Sequence, residues 1–176
     1  MNKRKMLMLL SLIVAANSYA TLYPNKDKQT TEVNQKMLTE KHLTDATVIS
    51  VKDGNIVKIL DDVKINKEHS NSKQVKKFVN INTKDKGISV NEGDIAYQNK
   101  GGKELEIVSI QSGNFLNKGN ISVDGQKSFG INMTGSDIYT ENSGVINTSN
   151  DAIGVNIKND KSSFKNNKEG IINVSN

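Results

Sequence analysis

From residue 46 onward the apolar side chains fall in short runs with alternating phase rather than at helical spacing. Thr47-Val48-Ile49-Ser50-Val51 and Ile56-Val57-Lys58-Ile59-Leu60 are β-branched runs of strand length. Asp53-Gly54 lies between them and predicts a hairpin turn, because glycine accepts positive φ. Phe78–Asn82, Gly87–Val90, Asp94–Tyr97 and Leu105–Ile110 continue the series, with Lys100-Gly101-Gly102-Lys103 as a loop. Residues 46–110 therefore read as an irregular β region containing a hairpin. Ahead of them, residues 21–45 form a polar linker or cap. A short helix is the one regular element open to this segment, over Thr31–Leu43. Val33, Met37 and Leu38 would lie near one face, although Leu43 falls off it and no capping box precedes the run.

Residues 111–176 carry a repeat. Ser128-Phe129-Gly130-Ile131-Asn132-Met133 aligns with Ala152-Ile153-Gly154-Val155-Asn156-Ile157 at an offset of 24. Gly144–Asn150 aligns with Gly170–Asn176 at an offset of 26, and Gly119-Asn120-Ile121-Ser122-Val123 begins a copy 25 residues before Gly144. Phe115, Tyr139 and Phe164 mark one place in successive copies. A fixed period of 24–26 residues is the signature of a solenoid. Each copy holds two alternating strands, N-x-G-x-I-x-V and S-x-G-I-x-I. The apolar phase points Ile121, Val123, Ile131, Met133, Ile146, Val155, Ile157, Ile172 and Val174 inward as structural rungs. Asn132, Asn147, Asn156 and Asn173 would alternate with them and face outward. A leucine-rich repeat shares the period but needs a leucine ladder, and leucine is absent after Leu116. The expected fold is all-β: a right-handed parallel β-helix preceded by irregular β structure and the possible short helix.

The first twenty residues follow another logic. Met1-Asn2-Lys3-Arg4-Lys5 is basic, Met6–Ala16 is apolar, and Ser18-Tyr19-Ala20 places small residues where signal peptidase reads them. That order is a secretory signal, with cleavage expected between Ala20 and Thr21. The apolar run is about half the roughly 20 residues a spanning helix needs.

Composition supports a thin core. Hydrophobic residues make up 35% of the chain, against a usual 45–50% or so, and stacked coils need few of them each. Gly and Asn suit the corners. Without Lys3, Arg4 and Lys5, 21 of the 24 basic residues remain against 19 acidic ones, a balance that gives no electrostatic footprint for nucleic acid. Lysines 73, 76 and 77 read as a solvated face. The chain has no cysteine, which excludes disulfides, cysteine-ligated zinc and a lipoprotein anchor. His42 and His69 lie in unrelated segments and read as surface residues. Asp61-Asp62 and Glu104/Glu106 read as solvated carboxylates. No catalytic, metal or cofactor-binding residue is assigned.

The carrying residues Asn117-Lys118-Gly119-Asn120-Ile121-Ser122-Val123 and Ser128-Phe129-Gly130-Ile131-Asn132-Met133, together with the leader, resemble the start of an autotransporter passenger. The type is the large Asn/Lys/Gly-rich surface protein of Gram-negative bacteria, including fusobacterial relatives. The resemblance implies display at the cell surface or outer membrane, or secretion, and an adhesive or stalk-like, non-catalytic role. The partners it implies are an unidentified host or bacterial surface ligand, further β-helix coils and a C-terminal translocator barrel. The sequence departs from that pattern in having no barrel, so a fragment, a truncated gene or a short secreted relative is expected. The alternatives are a secreted polysaccharide-active β-helix enzyme and a non-functional fragment.

Overall fold

A computed structural model of the chain describes residues 30–51, 55–69, 75–83 and 87–175. The expected signal residues Ser18, Ala20 and Thr21, like Lys73, lie outside the described residues.

The chain winds three parallel sheets into a solenoid of about five turns. Strand β1 (Thr30–Val33) is followed by two 3-10 turns, Gln35–Met37 and His42–Thr44. The winding then takes β2 (Thr47–Val51), β3 (Ile56–Ile59) and β4 (Lys64–His69) in its first full turn, and β5 (Lys77–Asn82), β6 (Ile88–Asn91) and β7 (Asp94–Asn99) in its second. The third holds β8 (Leu105–Ser112), β9 (Asn114–Asn117) and β10 (Asn120–Asp124); the fourth holds β11 (Ser128–Met133), β12 (Tyr139–Asn142) and β13 (Val145–Ser149). The last comprises β14 (Ile153–Ile157), β15 (Ser163–Asn166) and β16 (Ile171–Ser175). Sheet A stacks β2-β5-β8-β11-β14, sheet B β1-β3-β6-β9-β12-β15, and sheet C β4-β7-β10-β13-β16.

The all-β solenoid is the architecture the repeat predicts, and it extends well beyond the repeat. The row Lys64, Asp94, Asn120, Val145, Ile171 in sheet C steps by 30, 26, 25 and 26 residues. The offsets of 24 and 26 reappear in the pairing as Phe129↔Ile153 and Val145↔Ile171. Residues 46–110 are thus earlier turns of the same winding, not a separate irregular region. Asp53 and Gly54 lie outside the described residues, and the strands flanking them do not pair as a hairpin: β2 pairs with β5 in sheet A, whereas β3 pairs with β1 and β6 in sheet B, all parallel. Turn residues in a sequence do not say which strands pair beside them.

The expected helix over 31–43 is also replaced. Thr30–Val33 joins the edge of sheet B, since three β-capable residues pair with β3 (Thr31↔Val57, Val33↔Ile59). The two 3-10 turns follow, opened by Asn34, whose side chain accepts from the Met37 N–H at 3.2 Å. They bury Leu38 and Leu43 beneath the first turn. The cap is pinned to β4, where Lys67 Nζ donates to Glu40 at 2.7 and 2.9 Å and the Lys64 N–H donates to Gln35 Oε1 at 2.7 Å.

The core is a set of columns. Ile65, Ile95, Ile121, Ile146 and Ile172 stack through sheet C. Ile49, Val79, Val108, Ile131 and Val155 stack through sheet A, as do Val51, Ile81, Ile110, Met133 and Ile157. Of the predicted rungs, Ile121, Val123, Ile131, Met133 and Ile146 are buried. Val155 is partly buried, and Ile157, Ile172 and Val174 keep their column but are exposed, because no described strand stacks on their far side. Asn132 was expected to face solvent and is buried, its Oδ1 accepting from Asn156 Nδ2 at 2.8 Å. Tyr139 is one position out of the aromatic series. Thr140 is in register with Phe115 and Phe164, and Tyr139 points outward.

Candidate binding surface

The site-like features arise at the corners and on the outer face of sheet C. In the second, third and fourth turns the corner from sheet B to sheet C is Asn-x-Gly. Asn91, Asn117 and Asn142 point inward, and each donates Nδ2 to the carbonyl of Gly93, Gly119 or Gly144 two residues on, at 3.1–3.2 Å. The same asparagines also bond to one another: Asn91 Nδ2 to Asn117 Oδ1 at 2.9 Å, Asn117 Nδ2 to Asn142 Oδ1 at 2.8 Å, and Asn142 Nδ2 to Asn166 Oδ1 at 2.7 Å. Amide ladders suit a parallel stack, because an identical side chain recurs at each strand spacing of about 4.8 Å and offers donor to acceptor. The glycine is needed because successive corners touch. A Cβ on Gly144 would lie 2.0 Å from the Gly119 carbonyl oxygen, and one on Gly119 2.2 Å from that of Gly93.

A second polar column sits at the corner from sheet C to sheet A. His69 is buried there, not on the surface, with Nδ1 3.1 Å from Asn99 Oδ1. Asn99 Nδ2 in turn donates to the carbonyls of Lys103 and Gln126 and to Ser128 Oγ. Glu106 is likewise buried rather than solvated, 3.9 Å from Lys77 Nζ. Asp61 and Asp62 are exposed, as expected.

The outer face of sheet C carries a shallow groove of about 270 Å³. Its middle row is Asn66, Ala96, Ser122, Asn147 and Asn173. Ala96 and Ser122 are short, so this row is low beside the row of Gln98 and Asp124. Asn147 Nδ2 reaches Asn120 Oδ1 and Ser122 Oγ, both at 3.1 Å, and Asn173 Nδ2 reaches Asn147 Oδ1 at 2.8 Å. Asp124 Oδ1 accepts from Ser149 Oγ and Asn150 Nδ2. The face offers amides, hydroxyls and the Asp124 carboxylate in a hydrogen-bonded array.

Several titratable groups are shifted by their local contacts or by burial. A hydrogen bond from Lys58 holds the Glu92 carboxyl below the usual range, with Lys118 adding to it. The Tyr97 phenol is pushed up by burial, and His42 is lowered by burial. Thr39 brings its N–H and hydroxyl to His42 Nδ1 at 3.2 and 2.8 Å, a contact that closes a three-residue turn. Among the described residues, no three His, Asp or Glu side chains gather as a metal site, and no helix is long and apolar enough to cross a membrane. The sequence named the rungs but missed the two polar columns. The Asn-x-Gly spacing was the available signal for the first; nothing local marks His69 for the second.

Comparison with known proteins finds no family model, curated protein or solved structure that matches the chain.

Proposed function

We propose that the chain is an exported, non-catalytic passenger segment of autotransporter type, acting as a rigid stalk that presents the outer face of sheet C to a surface ligand. The observation that carries this reading is the continuous parallel register of all three sheets from β2 to β16, which makes a stiff rod of regularly spaced polar groups. Amide columns inside and an Asn/Ser face outside suit a surface protein that has no cysteine to staple it. The leader composition supplies the export half of the proposal. Its partners are then a host or bacterial surface ligand, further coils and a translocator barrel.

Export and binding are tested separately. Expressed in a Gram-negative host, the protein should leave the cytoplasm with Thr21 as its first residue; an intact Met1 on the exported material would refute the leader. Beads coated with the folded protein should adhere to cultured epithelial cells or to bacterial surfaces. Ser122→Arg, which fills the groove, should reduce that adhesion while leaving the circular dichroism unchanged. Equal adhesion by both proteins would remove sheet C from the proposal.

A further inference from the structure

The outer face of sheet B is unlike the polar outer face of sheet C. Its middle coils are apolar: Ile88, Val90 and Leu116 are half-buried, and Ile56 and Tyr139 are 36 and 41% exposed. Charges enclose this patch. One outward row reads Glu32, Lys58, Val90, Leu116, Glu141, Lys165 from β1 to β15. The row is minus, plus, apolar, apolar, minus, plus, so its signs invert about its own centre. The charges are held in place. Lys58 bonds Glu92 at 2.9 Å, and Glu141 accepts from the Tyr139 hydroxyl and from Asn167 Nδ2.

We infer that this face is a self-association surface, and that a second copy packs on it face to face with the two solenoid axes antiparallel. The two-fold axis runs along the strands, midway between β6 and β9, so each row meets itself in reverse order. Lys58 faces Glu141 of the second copy, Glu32 faces its Lys165, and Val90 faces its Leu116. In the row beside it, Ile56 faces Tyr139. At the corners, Glu92 follows β6 and Lys118 follows β9, and these two also come opposite each other. Packed sheets lie about 10 Å apart, a gap that a lysine and a glutamate span together.

The charges fix both register and orientation. Moving the axis onto β9 would set Lys58 against Lys165, and moving it onto β6 would set Glu32 against Glu141. Laying the copies with their solenoid axes parallel would bring one row against the other and place Lys58 over Ile56, without a partner. Like-charge and unpaired contacts of this kind select one docking mode over the rest. The arrangement is isologous and closes at two copies. It leaves the outer face of sheet C free. Six strands of four residues make a face of roughly 25 Å by 13 Å. That is well below the ~800 Å² per partner of a standard interface, so the dimer is reversible and concentration-dependent.

Sedimentation velocity over a wide concentration range should show monomer passing to dimer, with no larger species. Lys58→Glu and Glu141→Lys should each weaken the dimer about tenfold or more, because each sets like charges face to face at two places. Mixed in equal amounts, the two variants should dimerise as the unaltered protein does, since every altered side chain then meets its opposite charge. If Lys58→Glu loses its circular dichroism through the contact with Glu92, the exposed pair Glu32→Lys and Lys165→Glu gives the same mixing test. Leu116→Lys, at the centre of the face, should keep the circular dichroism and abolish the dimer. A protein that stays monomeric throughout would overturn the proposal. So would a mixture of folded charge variants that stays monomeric, a dimer that survives Leu116→Lys, or growth into larger assemblies.

Discussion

The first turns of the solenoid and the last ones have the same cross-section but different lengths. In sheet A the step is 30 residues from Thr47 to Lys77 and 29 from Lys77 to Glu106, then 23 to Phe129 and 24 to Ile153. In sheet B the step from Ile56 to Ile88 is 32, falling to 24 between Tyr139 and Ser163. The columns ignore this change. Ile65 and Ile95 stack as Ile121 and Ile146 do, because only the strand and corner residues must repeat to continue the winding. Extra residues leave between sheets as loops, at a cost that grows slowly with loop length. What defines a coil of this protein is its inner rows, joined in the second to fourth turns by the tight Asn-x-Gly corner, and not its period.

The sharpest way to break that distinction is to put a side chain at a corner and at a loop. Gly144→Val should be the most damaging substitution, by more than about 4 kcal/mol. Its Cβ would sit 2.0 Å from a neighbouring carbonyl oxygen, which can move only if two coils separate. Gly102→Ala, in a longer early loop, meets nothing within 4 Å and suffers only its positive φ of 60°, a cost of about 1–2 kcal/mol. Urea unfolding of the two variants measures the gap. Equal losses would mean that corners and loops are equivalent.

The columns come next. Ile146→Asp places an unpaired carboxylate at a fully buried position and should cost roughly 3–5 kcal/mol. Asn147→Asp, one residue on and facing out, should change stability by less than about 1 kcal/mol. Ile172→Asp lies in the same column as Ile146 but at the open face, and should fall between the two. If Ile146→Asp and Asn147→Asp lose the same amount, the inward and outward rows are misassigned.

These contrasts also explain how far the fold was legible. Between residues 119 and 175 the coils differ by one or two residues, so the offset in the sequence is also the register in which β13 pairs with β16. Before residue 110 the offset is about 30 instead of 24–26 and little beyond the inner rows repeats, so the runs there show no alignment with the later copies. Asp53-Gly54 lies outside the described residues, and the strands on either side of it belong to different sheets, so the hairpin topology it suggests is not formed. Of the asparagines whose alternating phase predicts an outward side chain, Asn132 is buried. Asn132 shows the error: a stacked amide finds its partner on the next coil, and that partner is invisible without the register. His69 is the same case, satisfied by Asn99, which lies 30 residues away in sequence.

The amide ladder offers a graded test of the same idea. Asn117 sits mid-ladder with bonds to both neighbours and to Gly119. Asn117→Ala leaves Asn91 and Asn142 each short of a buried partner and should cost about 2–3 kcal/mol. Asn166, exposed at the ladder's end, accepts from Asn142 and bonds the Gly170 carbonyl, so Asn166→Ala should cost less, about 1 kcal/mol. A ladder that mattered only for packing would give the two variants losses unrelated to their bond counts.

The smallest effect belongs to the outward residue of the corner, the x of Asn-x-Gly, which is Glu92, Lys118 and Ser143 in successive turns. In the earlier, longer turns this position is ionic. Glu92 accepts from Lys58 Nζ at 2.9 Å and lies 3.7 Å from Lys118 Nζ, tying three coils together. In the later turns it is neutral, with Ser143 Oγ accepting from Asn167 Nδ2 at 2.8 Å. Only the first arrangement depends on pH. Lys58 holds the Glu92 carboxyl below its unfolded value, so the folded state binds this proton less readily than the unfolded chain. The contribution is then complete above the unfolded carboxylate range near pH 4.3 and is lost as pH falls through the folded value. The pair is partly exposed, so Glu92→Gln should lower stability at neutral pH by less than about 1 kcal/mol. The difference from the unaltered protein should shrink in high salt and vanish in acid. Ser143→Ala should show a loss that is the same at both pH values. A Glu92→Gln loss that persisted unchanged in acid would show that the side chain acts there by packing and not by charge.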